Sequence, residues 1–315
     1  MHALKSPLLV ATDFSPASVE ALAYAVRLGD AVGAEVRLLH VLAESGAIRF
    51  GAEEKARAQT QDAAQVTHAQ EALRQLAASI SVALPCVVRR GRAPAEVIVA
   101  EAADIGAGLV VLGTCGQRPS RAGMGAVSGE VIQTAPCDVL LVPHREEGPY
   151  SKTPVQRILV PVDFSGASTS LVSLGRRLAD SLDAHVDLVH VLEPLPHPVR
   201  WLDETLVDLI PQIQERAEAA LRTLAEDASS HPRELGLYVE RGKAAPTIPQ
   251  VAEALGTDLV VLGPHAERPV FDRLLGSVAE GVARRVSCPV LIARASAEPE
   301  DVAPSIDTHS YEAVV

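Results

Sequence analysis

The feature that most constrains this chain is an internal repeat. "LLVATDFS" at residues 8–15 returns 150 positions later as "ILVPVDFS" at 158–165, and "LLHVLAE" at 38–44 returns at the same interval as "LVHVLEP" at 188–194. Further matches follow in the same order through both halves. A repeat of this length indicates a duplicated domain, so we expect each half to fold into the same structure.

The length of the chain agrees with two domains. It has 315 residues, and a single hydrophobic core seldom grows much past about 200 residues. The repeat predicts a first domain over 1–145, a linker over 146–156, a second domain over 157–294 and an acidic C-terminal tail over 295–315. We expect the halves to pair as a pseudo-twofold dimer within the chain, because the last strand of each, "DVLLV" and "PVLIA", is an apolar sheet edge that needs covering. Whole chains could associate further as a homodimer.

Each half alternates short apolar strands with helices. In the first half a strand ends at Asp13, Ser15 and Pro16 supply a helix N-cap and a first-turn proline, and a helical pattern runs to Gly33. Continuous apolar strands separated by helices predict a parallel sheet that is covered on both faces. Right-handed crossovers then favour an α/β fold of two tandem, doubly wound, Rossmann-like domains. Each would have a five-stranded parallel sheet in the order 3-2-1-4-5.

Composition disfavours several classes of function. No apolar run approaches the ~20 residues of a membrane span, and the apolar start is too short for a secretory signal, so we expect a cytoplasmic protein with no membrane partner. A net charge of -12 and a pI near 5.3 disfavour a nucleic-acid surface, which needs clustered Lys and Arg. The cysteines have no metal-type spacing, so we expect reduced thiols and no metal site. They are Cys86, Cys115, Cys137 and Cys288.

The predicted strand order places a binding site. Strands 1 and 4 are neighbours where the winding reverses, and ligands bind beyond the carboxyl ends of the strands at that point. Asp13 and Gly113 end these strands in the first half, as Asp163 and Gly263 do in the second. The loop after each glycine enters a helix, whose unpaired N–H groups suit a phosphate, whereas the aspartate suits a ribose or adenine hydrogen bond. These parts together predict a nucleotide site.

The first loop offers further groups to an anion. Gly113 and Gly116 would allow close backbone approach or a positive φ, and Gly125 would let the helix begin against the anion. Arg118 and Arg121 could supply positive charge.

Plainer interpretations of these residues stay open. Glycines between a strand and a helix are often turn residues only. The aspartate of each half could instead cap the following helix, although Ser15 and Ser165 are better placed to do so. His40 and His190 fall among apolar residues at strand ends, as core-edge histidines often do.

The motifs resemble those of the universal stress protein family. "VPVDFS", the "HV" of the second strand, the glycine loop leading to "LGSVAE", and "CPVLI" carry the resemblance, which covers nearly the whole chain apart from linker and tail. It implies a tandem universal stress protein. In the nucleotide-binding branch of that family the loop reads G-x2-G-x9-G-S/T and wraps the phosphates of ATP, while the strand 1 aspartate and the valine after strand 2 hold adenosine.

The resemblance assigns binding positions to the first half, with two departures from the pattern. Eight rather than nine residues separate Gly116 from Gly125, and Ala126 replaces the hydroxyl residue, so one phosphate contact is lost. The positions are Ala11, Thr12, Asp13, Val41, Leu112, Gly113, Gly116, Gly125, Ala126 and Val127.

The second half departs from the pattern elsewhere. It keeps the nine-residue spacing, but Ala266 replaces the second glycine and Pro264 removes a backbone donor. Because the spacing of the glycines sets the geometry of the phosphate-binding loop, we expect the second half to be the better phosphate site. Its positions are Pro161, Val162, Asp163, Val191, Leu262, Gly263, Gly276, Ser277 and Val278.

The resemblance therefore implies a cytosolic regulatory protein of the stress response that binds an adenine nucleotide, ATP with or without Mg²⁺, and is read by a protein partner still to be identified. Two alternatives stay open. One is a nucleotide-free interaction scaffold whose loops have both degenerated, and the other is an enzyme that adenylylates a substrate. The sequence contains neither an H-x-G-H nor an S-G-G-x-D-S signature, so we expect no catalytic residues, although slow ATP hydrolysis would need only bound water and metal.

Overall fold

A computed structural model describes residues 4–44, 52–116, 124–144, 155–194, 205–227, 234–263 and 276–294. The chain divides into two units, Met1–Pro154 and Val155–Val315. Most of the predicted linker and all of the predicted tail lie outside the described residues, and so do Arg118, Arg121, Pro264 and Ala266. The expected pairing of the two halves stays a prediction.

In the described part of the first unit, five strands alternate with four helices. They are β1 Leu8–Ala11, α1 Pro16–Val32, β2 Val36–Ala43, α2 Ala52–Ser79, β3 Cys86–Gly91, α3 Pro94–Asp104, β4 Leu109–Gly113, α4 Ala126–Thr134 and β5 Asp138–Val142.

The described part of the second unit repeats this alternation. Its elements are β6 Arg157–Pro161, α5 Ser168–Leu182, β7 His185–Leu192, α6 Thr205–Asp227, β8 Gly236–Arg241, α7 Ala244–Leu255, β9 Leu259–Leu262, α8 Ser277–Ala283 and β10 Val290–Ile292.

The predicted sheet topology is confirmed in each unit. In the first, β1 pairs in parallel with β2 and β4, β2 pairs with β3, and β4 pairs with β5. The strand order is therefore β3-β2-β1-β4-β5, which is 3-2-1-4-5. In the second unit the same parallel pairings give β8-β7-β6-β9-β10. In both units the carboxyl ends of the first and fourth strands are neighbours.

Consecutive buried side chains show that both faces of each sheet are covered. Leu8, Leu9 and Val10 in β1 are at most 2% exposed, and Ile158 and Leu159 in β6 are fully buried. Successive side chains of a strand point to opposite faces, so such a run needs packing on both sides. Each buried Leu or Ile contributes roughly 1.5–3 kcal/mol relative to leaving it exposed.

Ser15 caps α1, as the sequence predicts. Its hydroxyl accepts the backbone N–H of Ser18 at 3.3 Å, and Pro16 is the first helical residue. The fixed φ of proline suits this position, where a backbone N–H would have no helical partner.

The corresponding prediction for Ser165 is wrong. Helix α5 begins only at Ser168, and its N-cap residue is Ala167, which makes no side-chain cap. The second unit has Gly166 where the first has Pro16, so nothing fixes φ at that position. Ser165 instead accepts the N–H of Ser168 through its carbonyl oxygen, at 2.9 Å.

The described residues give two further facts about chemical class. None of the four cysteines, all of which lie within the described ranges, forms a disulfide bond. Within the described ranges, none of the helices is both long enough and apolar enough to span a membrane.

Candidate functional site

The candidate site of the first unit begins where β1 gives way to a tight turn. Thr12 still pairs with the second strand, since its N–H donates to the carbonyl of Leu39 at 2.9 Å. Asp13 then closes the turn by accepting the N–H of Ser15 on Oδ1 at 3.0 Å. Phe14, which lies between Asp13 and Ser15, has a φ of 63°, in the left-handed region. A bulky residue rarely adopts this conformation, so the surrounding contacts have to hold it.

A histidine on the neighbouring strand supplies those contacts. The ring of Phe14 lies against that of His40, with centroids 4.6 Å apart. His40 Nδ1 lies 2.7 Å from the carbonyl oxygen of Thr12. Because a carbonyl oxygen can only accept, Nδ1 carries the proton and donates it. The histidine therefore holds the backbone on both sides of Asp13.

The second unit repeats this device. Phe164 has a φ of 60°, and its ring lies 4.3 Å from that of His190. His190 Nδ1 lies 2.9 Å from the carbonyl oxygen of Val162. Burial lowers the pKa of the His190 imidazole, although the Val162 carbonyl and the Asp163 carboxylate act in the opposite direction. The neutral ring is therefore favoured.

The glycine loop of the first unit starts and ends beside Asp13. A Cβ added at Gly116 would lie 2.7 Å from Asp13 Oδ2, so the loop backbone passes directly over the carboxylate. At the far end of the loop, the N–H of Gly125 donates to the carbonyl of Thr114 at 2.7 Å. A Cβ added at Gly125 would lie 3.8 Å from the N of Gly116. The structure thus brings the aspartate and two loop glycines together.

Gly113 has a packing role that the sequence did not predict. A Cβ added there would lie 2.8 Å from the carbonyl carbon of Ala17 and 2.9 Å from the N of Ser18. Bare backbone at Gly113 therefore lets β4 pack against the first turn of α1. The sequence predicts that glycines in this loop allow either close backbone approach or a positive φ. At Gly113 the structure shows close approach, and the neighbouring backbone is that of α1. The described glycines with a positive φ are Gly33, Gly106, Gly242 and Gly256, all outside the loop.

Helix α4 begins with N–H groups that its N-cap residue leaves open. Gly125 is the N-cap, with φ −71° and ψ 153°, and it has no side chain to accept a hydrogen bond. The hydroxyl of Ser128 points back to the carbonyl of Gly113 at 2.8 Å. The predicted positions Ala126 and Val127 form the first turn of this helix. Such a terminus carries a partial positive charge and can bind an anion.

The second unit has matching parts at the two ends of its loop. Gly263 directly follows β9, and a Cβ there would lie 3.3 Å from Leu171 Cδ2 of α5. Gly276 is the N-cap of α8 and makes no side-chain cap, and Ser277 and Val278 are the first helical residues. The loop between them, residues 264–275, lies outside the described residues.

Asp163 accepts more donors than its turn alone requires. Its Oδ1 accepts the N–H of Ser165 at 3.0 Å and the hydroxyl of Ser168 at 3.1 Å. Burial by itself would raise the pKa of the Asp163 carboxyl, but these donors outweigh it and the pKa lies below its ordinary value of 3.8. The carboxylate is therefore ionised at neutral pH.

The remaining predicted positions line the same edge of each sheet. Val41 follows His40 in β2, and Val191 follows His190 in β7. The others lie in or next to the first and fourth strands of their unit, where parallel strands present their carboxyl ends. They are Ala11, Leu112, Pro161 and Leu262.

Sequence reasoning missed two kinds of residue at this site. His40 and His190 are satisfied core-edge histidines, as the sequence indicates, but it did not indicate that they hold the aspartate turn. Ser18 and Ser168 were not singled out at all. A signal for them existed, because "DFSPAS" and "DFSGAS" repeat the serine as faithfully as the aspartate.

The fold and the site define a Rossmann-like α/β protein with a candidate ligand crevice at the carboxyl edge of each sheet. The sequence profile of the universal stress protein family matches residues 6–143 and again residues 154–294. The chain belongs to the universal stress protein family, as a tandem member with two such domains.

Individual relatives agree with this membership. A universal stress protein of Methanocaldococcus jannaschii is 28% identical over 142 residues, which is 44% of this chain and 82% of the relative. Universal stress protein A homolog 1 of Coxiella burnetii is 30% identical over 138 residues, which is 43% of this chain and 94% of the relative. The crystal structure of a universal stress protein from Archaeoglobus fulgidus shares the fold, with a TM-score of 0.65 and 20% identity over 94% of this chain and 98% of that one.

The two ends of the first glycine loop should respond differently to an added methyl group. Gly113→Ala places Cβ against backbone atoms of α1 that cannot move aside, so we expect a loss of about 1–3 kcal/mol in the free energy of unfolding. At Gly125 the nearest atom is 3.5 Å from the added Cβ and φ suits alanine, so Gly125→Ala should cost less than about 1 kcal/mol. Urea unfolding of the full chain measures both. The reverse order would contradict the packing role of Gly113.

Protonation of His190 should destabilise the second unit. Because burial lowers the pKa of the folded imidazole below 6.5, the unfolded chain binds more protons as the pH falls below that value. We expect the melting temperature to fall between about pH 7 and about pH 5, and to fall less in His190→Asn, whose amide N–H replaces Nδ1–H. His68→Asn, at an exposed position of α2, is the control and should leave the slope unchanged. An NMR titration that placed the pKa of His190 above 6.5 would contradict this account.

Proposed function

We propose that this chain is a cytosolic regulatory protein of the stress response that binds an adenine nucleotide, with ATP the expected ligand, in at least one of its two units. The observation that carries the proposal is the convergence of Asp13, Gly116 and the N-terminus of α4 at the carboxyl edge of the first sheet. A nucleotide needs a hydrogen-bond acceptor for its sugar and a cluster of donors for its phosphates. This edge offers both.

The aspartate suits the sugar end of the ligand. Asp13 follows β1 in a turn that His40 and Phe14 hold in place, so its carboxylate does not have to be ordered when a ligand binds. A carboxylate accepts hydrogen bonds from ribose hydroxyls, whereas it repels phosphate oxygens of its own charge. The polarity of the site therefore favours the sugar at Asp13 and the phosphates at α4.

The helix N-terminus suits the phosphate end. Gly125 has no side chain to accept the N–H groups of the first turn of α4, and its missing Cβ leaves room for an anion to approach the backbone. A helix of nine residues such as α4 has a dipole that adds to this attraction. In the second unit Gly276 and Ser277 stand at the same place, with the loop spacing that the nucleotide-binding branch of the family uses.

Magnesium would enter with the nucleotide. Within the described residues, no group of three or more His, Cys, Asp or Glu side chains is arranged to hold a metal ion. Mg²⁺ bound to ATP takes its ligands mainly from phosphate oxygens and water, so a cage of protein side chains is not required.

A nucleotide-free interaction scaffold is the second candidate. Ala126 favours it, because this residue removes the hydroxyl that the family uses beside the phosphates, and the first loop is one residue short. We assign no catalytic residue in either case. Pyrophosphate release with turnover would instead favour the enzyme.

Thermal unfolding of the full chain with and without ATP tests the proposal. Ligand at about 100 times its dissociation constant stabilises a folded unit by roughly 2.7 kcal/mol, which is measurable as a rise in melting temperature. Gly276→Val and Gly125→Val should each remove the rise that comes from their own unit, because the branched side chain would occupy the place of the anion. We expect Gly276→Val to have the larger effect, because the second loop keeps the spacing.

Gly129→Ala is the matched control for Gly125→Val. It lies one turn further along α4, and the nearest described atom outside the helix backbone is Met124 Cε, 3.5 Å from the added Cβ, so the ATP effect should survive. If Gly125→Val alone abolished stabilisation, the first unit would be the binding unit and loop spacing would matter less than glycine content. If ATP failed to stabilise the wild-type chain, the scaffold would be the better description.

A further inference from the structure

In the first unit a chain of hydrogen bonds joins the hydroxyls of Thr12 and Ser18 and the carbonyl of Ser15, and we call this chain the relay. The N–H of Phe14 donates to Thr12 Oγ1 at 3.0 Å, Thr12 Oγ1 lies 2.8 Å from Ser18 Oγ, and Ser18 Oγ donates to the carbonyl of Ser15 at 2.9 Å. A serine hydroxyl has one proton, and a carbonyl oxygen can only accept. The proton of Ser18 therefore goes to Ser15, and the proton between Thr12 and Ser18 belongs to Thr12.

Burial makes this arrangement specific. Thr12 is 5% exposed and Ser18 is 3% exposed. A buried hydroxyl left without a partner costs about 1–3 kcal/mol, so each group takes the best partner within reach. With Thr12 present, Ser18 is held in the relay.

The second unit lacks the relay because Val162 stands in place of Thr12. Its serine, Ser168, donates to Asp163 Oδ1 at 3.1 Å, and the N–H of Ser165 donates to the same oxygen at 3.0 Å. An oxygen of a carboxylate has two lone pairs, so these donors occupy Oδ1 of Asp163. A ligand hydroxyl that approached this oxygen would have to displace Ser168.

We propose that the residue before the aspartate, Thr12 in one unit and Val162 in the other, determines whether the helix serine competes with the ligand for that aspartate. In the first unit the serine is engaged in the relay, so a vicinal diol such as the 2′,3′-hydroxyls of ribose meets one competing donor fewer there than in the second unit. This inference rests on the proposed nucleotide site and concerns its sugar end, whereas loop spacing concerns its phosphate end.

Calorimetric titration of the full chain with ATP and with 2′,3′-dideoxy-ATP tests the inference. The two ligands differ only in the sugar hydroxyls, so the ratio of their affinities measures the sugar contact. Asp163→Ala removes the aspartate of the second unit, so binding to this variant reports on the first unit. Asp13→Ala removes the aspartate of the first unit, so binding to that variant reports on the second.

In the first-unit background, Thr12→Val should release Ser18 toward Asp13. We expect ATP affinity to fall about five-fold, the value of one ordinary hydrogen bond, with little change for dideoxy-ATP. Thr12→Ser keeps the hydroxyl and should retain wild-type affinity. The double variant Thr12→Val with Ser18→Ala removes the competing donor and should restore the affinity for ATP, which a purely structural role of Thr12 would not do.

In the second-unit background, Ser168→Ala should raise ATP affinity about five-fold and leave dideoxy-ATP unchanged. This variant keeps the test independent of how well the Thr12 variants fold.

Three results would overturn the inference. Equal losses for ATP and dideoxy-ATP in Thr12→Val, no recovery in the double variant, or no gain in Ser168→Ala would each show that the serine does not compete. If neither background nor the wild-type chain bound ATP, the proposed function itself would fail and the inference with it. Wild-type binding without these changes would leave the nucleotide site standing and remove only the competition.

Discussion

The candidate site depends on the close packing of Gly113 against the first turn of α1. Backbone atoms of Ala17 and Ser18 occupy the space that any side chain at this position would need. β4 can therefore end beside the start of α1, which itself begins directly after the turn of β1. Asp13 and the start of the glycine loop become neighbours as a result. The first glycine of the loop motif is thus a requirement of the fold, and the later glycines are the ones that a ligand could use.

The aspartate turn has a conformational cost that its neighbours offset. A left-handed conformation costs a residue such as Phe14 roughly 1–2 kcal/mol. The hydrogen bond from His40 to the Thr12 carbonyl contributes about 1 kcal/mol, and the contact between the rings adds an amount of the same order. These contacts of the histidine are therefore of the same size as the conformational cost of the turn. This explains why the histidine and the phenylalanine occur together in both units.

The fold could be predicted from the sequence because it depends on repeated, short-range patterns. The apolar runs at residues 8–11 and 158–162 indicate buried strands, and strand order follows from handedness rules that leave few choices. The prediction that Ser165 caps a helix was wrong because one change, Gly166 for Pro16, moves the helix start. Local rules of this kind are sensitive to single residues, whereas the topology is not.

The hydrogen bonding at the site could be predicted only in part. The sequence identified Asp13 and Asp163 as equivalent, and the structure places them in equivalent turns. It did not indicate that Ser168 would donate to Asp163 while Ser18 donates elsewhere. Partner choice among buried hydroxyls depends on which acceptor lies within hydrogen-bond distance and on which residues stand nearby. Composition and periodicity carry no such information.

The duplication makes each unit a control for the other. Strand order, the backbone hydrogen bond that closes the aspartate turn and the glycine N-cap of the last helix are the same in both, so a difference in binding has to come from the residues that differ around these shared parts. If the proposed nucleotide binds, the relay through Thr12 favours the first unit at the sugar end, and the loop spacing that precedes Gly276 favours the second unit at the phosphate end. Neither unit combines both advantages. In the proposed nucleotide site, a ligand held well at only one end would dissociate readily, so we expect occupancy to follow the concentration of the nucleotide rather than to be permanent.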